Sequence, residues 1–195
     1  MAFLIIPTTE LEAVNECLEN IGESPVSTLS GDLGVDAQIA LNFVRKVNRA
    51  LQSRGWYWNT EKDYPLTPNG DSDILLPFNT LSVDTTAEDA DRDLVQRGPR
   101  LYDRDNRTYA FTTSVKVQLV LGLTFEELPE TARRYISLRA ARLFQDRVEG
   151  GANGEDSQDE MDALSVLHAD QLRVEDNNAL TGSYGIFKTL NRTGY

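Results

Sequence analysis

The stretch Asp36–Gly55, DAQIALNFVRKVNRALQSRG, followed at once by Trp56-Tyr57-Trp58-Asn59, decides how the chain is built. Ile39, Phe43, Val47, Ala50 and Leu51 recur at helical spacing, while Arg45, Lys46, Asn48, Arg49 and Gln52 take the other face. That split predicts an amphipathic helix opened by Asp36 and stopped by Gly55. From Trp56 to about Gly122 the texture changes to short β-prone runs: Trp56–Asn59, Ile74–Phe78, Leu94–Arg97, Arg100–Asp103, Tyr109–Thr112 and Val115–Leu121. Turn formers separate them, among them Pro68-Asn69-Gly70-Asp71, Gly98-Pro99 and Asp105-Asn106. No helical crossover fits between the runs, so antiparallel hairpins are expected. The acidic stretch Thr85–Asp93 reads as an exposed loop.

Helices are predicted on both sides of this insertion. Thr9 and Glu12 form a capping-box pattern ahead of Leu11, Val14, Leu18 and Ile21, and Gly22 supplies a stop. Beyond the β region two helix starts compete: Thr124 with Glu127 in a second capping box, and Pro129 at a first-turn position. Ala132, Tyr135, Ile136, Ala140, Leu143, Phe144 and Val148 then form an apolar face ending at Gly150-Gly151. A fourth helix of about 20 residues carries Met161, Leu164, Leu167, His168 and Leu172, with Asp156, Asp159, Glu160 and Asp162 suiting its positive N-terminus. The expected fold is α+β: an antiparallel four-helix bundle with an inserted antiparallel β-sheet region. Its parts are residues 1–55 (first half of the bundle), 56–122 (inserted sheet), 123–180 (second half) and 181–195 (a C-terminal docking tail).

Composition narrows the function classes. The chain has 195 residues, 40% hydrophobic and 26% charged, an ordinary globular balance. No apolar run nears the roughly 18 residues of a membrane span. Met1–Pro7 is apolar but short for a signal segment, with no Lys or Arg ahead of it, and reads as an arm or strand that docks on something. The net charge of −12 argues against wrapping nucleic acid. An acidic wall would let DNA slide past without binding, although solubility alone also accounts for the charge.

No catalytic constellation emerges, and no cofactor or metal is expected. His168 is the sole histidine and lies between apolar positions on a helix, where a packed or surface role outweighs that of a base. Cys17, the sole cysteine, faces the apolar side of the first helix and reads as a buried thiol. Asp71-Ser72-Asp73 and Asp89-Ala90-Asp91 lack the spaced glutamate of a calcium loop. Carboxylate pairs (Glu126-Glu127, Asp159-Glu160, Glu175-Asp176) are abundant, but glycoside hydrolysis needs two at a set separation across a cleft. Trp56 and Trp58 share one side of a presumed strand, which suits core packing. More pointed is the arginine row Arg133, Arg134, Arg139, Arg142 and Arg147 on the third helix. It suits ion pairs between subunits of a ring or pairing with the acidic fourth helix, and both readings stand. Thr181–Tyr195 is polar yet carries Tyr184, Ile186, Phe187, Leu190 and Tyr195, apolar side chains that order against a partner or pack back on the domain.

Three runs resemble a known family. They are Val14–Leu29, with Ile21-Gly22-Glu23-Ser24-Pro25-Val26; Lys46–Trp56, with Gln52-Ser53-Arg54-Gly55-Trp56; and Phe125–Glu130, leading into Arg134-Tyr135-Ile136 and Ala141–Phe144. In this order and spacing they resemble the tail tubular protein A family of short-tailed phages, over roughly the first three-quarters of the chain. The β insertion and the residues after Gly150 match more loosely. The resemblance implies a structural virion protein of the phage tail, a helical bundle with a β insertion assembled as a dodecameric ring. That ring would sit between portal and tail nozzle, help hold tail fibres, and pass double-stranded DNA through its lumen without specific binding. It implies no enzyme and no membrane. The interface residues expected are Arg133, Arg134, Arg139 and Arg142 for lateral or portal contacts, with Tyr184, Ile186, Phe187 and Tyr195 as the docking tail. Residues around Gly22 and Pro25 are expected to shape a loop. Two alternatives are a carbohydrate-degrading tail component and a head-completion connector of long-tailed phages.

Overall fold

In a computed structural model the chain is mixed α and β, with four α-helices and antiparallel sheets among the described residues. The structure describes residues 6–86, 92–150 and 154–190, and of 149, 154–156 and 176–190 the backbone alone. Two compact units result: residues 1–47 with 128–195, and residues 48–127.

The helical unit begins with α1 (Glu10–Asn20). Thr9 and Glu12 form the capping box, each side chain taking the other's backbone N–H. At the far end Gly22 adopts φ +74°, and the Gly22 and Glu23 N–H groups donate to the Glu19 and Leu18 carbonyls. That double bond closes a Schellman motif, which needs a left-handed residue at this position. The next helix, α2 (Val35–Gln52), crosses from one unit to the other. Its buried stripe is Ala37, Ala40, Leu41, Val44, Val47 and Leu51; Ile39 and Phe43 are half-buried and Ala50 is exposed. The helix is thus turned by about one residue from the face read off the sequence. Phe43 sits at the edge of that stripe, where its ring meets Phe144 edge-on at 6.0 Å.

Both start signals of the third helix are used. Thr124 and Glu127 bond around a 3₁₀ turn, Phe125–Glu127, and α3 (Glu130–Glu149) follows with Pro129 at its N-cap. Gly150 ends it at φ +82°. Helices α1 and α4 (Gly154–Leu190) both pack on α3. Thr131 meets Asp170 while Arg139 and Arg142 meet Glu160, so α3 and α4 run antiparallel. The backbone of α4 continues through 181–190 to 37 residues, about 55 Å of helix. Of its expected apolar side chains only Leu167 is fully buried; Met161 and Leu172 are exposed, as is Val148 on α3.

The second unit holds a three-stranded antiparallel sheet in the order β1 (Thr60–Leu66), β5 (Val115–Leu121), β2 (Thr80–Thr85), and a separate hairpin β3 (Leu94–Arg97)–β4 (Arg100–Asp103). The β3, β4 and β5 runs fall where the sequence predicts. The others shift. Trp56–Asn59 is a turn, closed by the Asn59 N–H on the Trp56 carbonyl. Ile74–Phe78 and Tyr109–Thr112 contribute isolated bridges in place of strands. Strand β1 is a polar edge carrying Pro65 and a bulge at Glu61–Tyr64, within which Asp63 takes φ +54°, a combination typical of edges. Leu66, Ile74, Leu76, Leu94, Leu101, Phe111, Val115, Val117 and Leu119 fill the core.

Candidate assembly site

The arginine row on α3 is spent largely inside the helical unit. Arg133 is 9% exposed; its Nε donates to the Leu128 carbonyl at 2.7 Å and a terminal nitrogen to the Thr8 carbonyl at 2.9 Å. Glu130 accepts from the Thr8 N–H and hydroxyl, so the segment entering α1 is clamped to the start of α3 from three sides. Arg134 pairs with Glu16 of α1 at 2.8 Å. Burial pushes the Glu16 carboxyl above its usual range, with Arg134 pulling the other way. Arg139 and Arg142 converge on Glu160 of α4, one on each carboxylate oxygen, and Glu160 is buried between them. Arg142 also reaches Asp146 at 3.2 Å, and its bond to Glu160 raises its affinity for a proton. Buried ion pairs of this kind hold helices in register more than they add net stability. Pairing with the fourth helix, one of two readings open at the sequence level, is therefore what Arg139 and Arg142 do within the subunit.

The other proposed contacts are placed only in part. Tyr184, Ile186 and Phe187 lie on the backbone of α4 with side chains outside the described residues, and Tyr195 lies outside them altogether. The carboxylate pairs are described except for the side chain of Asp176. Glu127 is taken by Thr124, whose bonds lower its pKa; Glu160 lies between arginines while Asp159 is exposed; Glu175 accepts from Gln171. No cluster of three metal-ligating side chains occurs among the described residues. Cys17 is buried, its thiol pushed up to about 12, which makes it structural.

Sequence reasoning missed Gln52, assigned to a solvated face. It is 2% exposed, and its amide brackets Leu123: Nε2 donates to the Leu123 carbonyl at 2.9 Å and Oε1 accepts its N–H at 2.7 Å. Asn59 repeats the device, donating to the Gln52 and Leu121 carbonyls and accepting the Trp56 N–H. The Trp56 indole donates to the Leu51 carbonyl at 2.9 Å. Gly55 turns the chain at φ +75°, where a Cβ would stand 3.1 Å from Val120. The run Gln52–Trp56 thus joins the chain entering the second unit to the chain leaving it. Asn15 does similar work in the helical unit: its side chain bonds both backbone groups of Val26, folding the Gly22–Val26 loop against α1.

Two of the three runs that carry the family resemblance are therefore structural knots. The family model for tail tubular protein matches residues 11–176, across both units. The chain belongs to the tail tubular protein family. Tail tubular protein A of Klebsiella phage KP34 is 31% identical over 145 residues, 74% of this chain and 76% of the relative. A tail tubular protein is a structural component of the phage tail and not an enzyme. No helix among the described residues is long and apolar enough to cross a membrane.

Proposed function

We propose that this chain is a head-to-tail adaptor: copies form a ring, dodecameric by resemblance, between portal and tail nozzle. In this reading the helices act as an antiparallel four-helix bundle packed side by side and docked on the portal. The β-rich unit faces the nozzle and supports tail fibres, and the acidic lumen conducts DNA without gripping it. The observation that carries it is a family match whose bounds, residues 11–176, take in parts of both units. Arg134 and Arg139 keep 51% and 38% of their side-chain surface and are free to take a second partner across a subunit boundary, while Arg133 and Arg142 act inward. Tyr184, Ile186, Phe187 and Tyr195 form the docking tail. A sheet of three strands beside a separate hairpin favours this reading over a long-tailed connector built on one short hairpin.

Light scattering of the purified protein, alone and mixed with the portal of its phage, tests it. A ring-sized complex that depends on the portal supports the adaptor. A monomer that never engages the portal at near-physiological salt removes it.

A further inference from the structure

The β3–β4 hairpin carries an outward face that its own fold does not explain. The register sets Arg97 directly opposite Arg100, and like charges facing each other across strands destabilise a sheet. Asp73 neutralises Arg100 at 2.9 Å, whereas Arg97 pairs with no carboxylate among the described residues. Its guanidinium lies 3.6 Å from the centre of the Tyr102 ring, Arg100 lies 4.2 Å from that of Tyr109, and the two rings meet edge-to-face at 4.8 Å. The four side chains make one ladder. A guanidinium stacked on a ring keeps its N–H edge free for a planar carboxylate and has little rotamer freedom left to lose.

One apolar side chain adjoins the ladder, and a second lies three residues further along the same segment. Leu75 bridges to Arg100, shares its face by the pleat, and is 56% exposed. Phe78, in the turn closed by the Thr80 N–H on the Pro77 carbonyl, is fully exposed. Stacked Arg and Tyr are residue types enriched in protein interfaces, and the exposed Leu75 beside them and Phe78 further along add apolar surface. A nucleic-acid platform would keep ring faces open for bases, and here each ring already carries a guanidinium.

The geometry points to this face as a lateral contact that seats an acidic surface of a second copy of the chain. Each copy has 31 acidic against 19 basic side chains, so copies repel except where a local positive patch meets a negative one. The face is not self-complementary: a two-fold contact would oppose Arg97 to guanidiniums. The contact is therefore head-to-tail, the kind that closes into a ring. The inference rests on the ring reading above and names its contact.

Sedimentation velocity tests it on the full chain, alone and with portal, at near-physiological and raised salt, for wild type, Arg97→Glu and Phe78→Ser. Wild type should assemble, and raised salt should weaken assembly. Each variant should need at least tenfold more protein for half-assembly while keeping the wild-type circular dichroism. Phe78→Ser should melt like wild type, and Arg97→Glu, which trades the stack on Tyr102 for a charge opposite Arg100, should melt no more than a few degrees away from it in either direction. Arg97→Lys should fall between. Variants that assemble like wild type overturn the proposal and leave the ring intact; a wild type that stays monomeric throughout overturns both. A short DNA duplex bound by wild type and released by Arg97→Glu, with assembly unchanged, replaces the partner by nucleic acid and also overturns it.

Discussion

Replacing Gln52 by Leu should weaken the β-rich unit without changing its shape. The side chains are similar in size, so little cavity forms, but the amide that brackets Leu123 is lost. The Leu123 N–H and C=O are left without that partner, and Asn48 loses a donor at 2.6 Å. An unpaired buried polar group costs about 1–3 kcal/mol. These sites are part-buried and water recovers some of that, so the two backbone groups should cost about 2–4 kcal/mol together. With a urea slope near 2 kcal/mol/M, the midpoint should fall by about 1–2 M. The two tryptophans of the chain, Trp56 and Trp58, stack beside the network with ring centres 6.4 Å apart, so their fluorescence reports the same region. Circular dichroism follows the helices in parallel. Gln52→Glu keeps the acceptor for the Leu123 N–H, loses the donor, and should fall between. A Gln52→Leu midpoint within about 0.3 M of wild type, well under the drop of about 1–2 M, would refute the assignment of this amide as the fastener of Leu123 within the second unit.

Three further outcomes follow from named geometry. Glu160→Gln should lower thermal stability by about 1–3 kcal/mol, discounted for the partial exposure of Arg139 and Arg142, with a smaller difference at high salt in calorimetry. Cys17, with its thiol pushed up to about 12 by burial, should resist a thiol reagent at pH 8 in the native state and react once denaturant exposes it. Asp103, whose pKa is lowered chiefly by its bonds from Asn106, contributes stability present above the ordinary aspartate value near 4 and lost as pH falls through its lower folded value; acid titration of Asp103→Asn should show a shallower loss over that window.

Local signals read true where the chain obeys its neighbours. Thr9 with Glu12, Thr124 with Glu127, the Gly22 and Gly150 stops and the Gly98-Pro99 turn each act within four residues, and each appears in the structure. Misreadings came where tertiary contacts decide. Strand β1, TEKDYPL, is an edge and therefore polar, so no hydrophobic alternation marks it. The Trp56–Asn59 run has strand-like residues but is held as a turn by Asn59 and Leu121, 62 residues apart in sequence. On α2 the small Ala37 and Ala40 face the core while the larger Ile39 and Phe43 stand at its margin, an order that size and hydrophobicity alone reverse.

The candidate site was legible in charge but not in compensation. Five arginines on one helix stand out in an acidic sequence, yet Glu16, Asp146 and Glu160 absorb three of them, and Arg133 turns to backbone carbonyls. Those partners lie up to 125 residues away, and only the antiparallel course of α3 and α4 brings Glu160 between two of the arginines. Arg97 stands among Arg92, Arg100, Arg104 and Arg107, interleaved with aspartates, and nothing in the sequence sets it apart from them. In space it is the guanidinium set against its like, stacked on a tyrosine and without a carboxylate among the described residues. Charge density along a chain marks where ions must be matched, whereas function follows charge that folding leaves unmatched. By that measure we infer that the weight of assembly moves from the basic helix to the β3–β4 hairpin, whose outer face keeps a guanidinium without a carboxylate among the described residues, with the exposed Leu75 beside it.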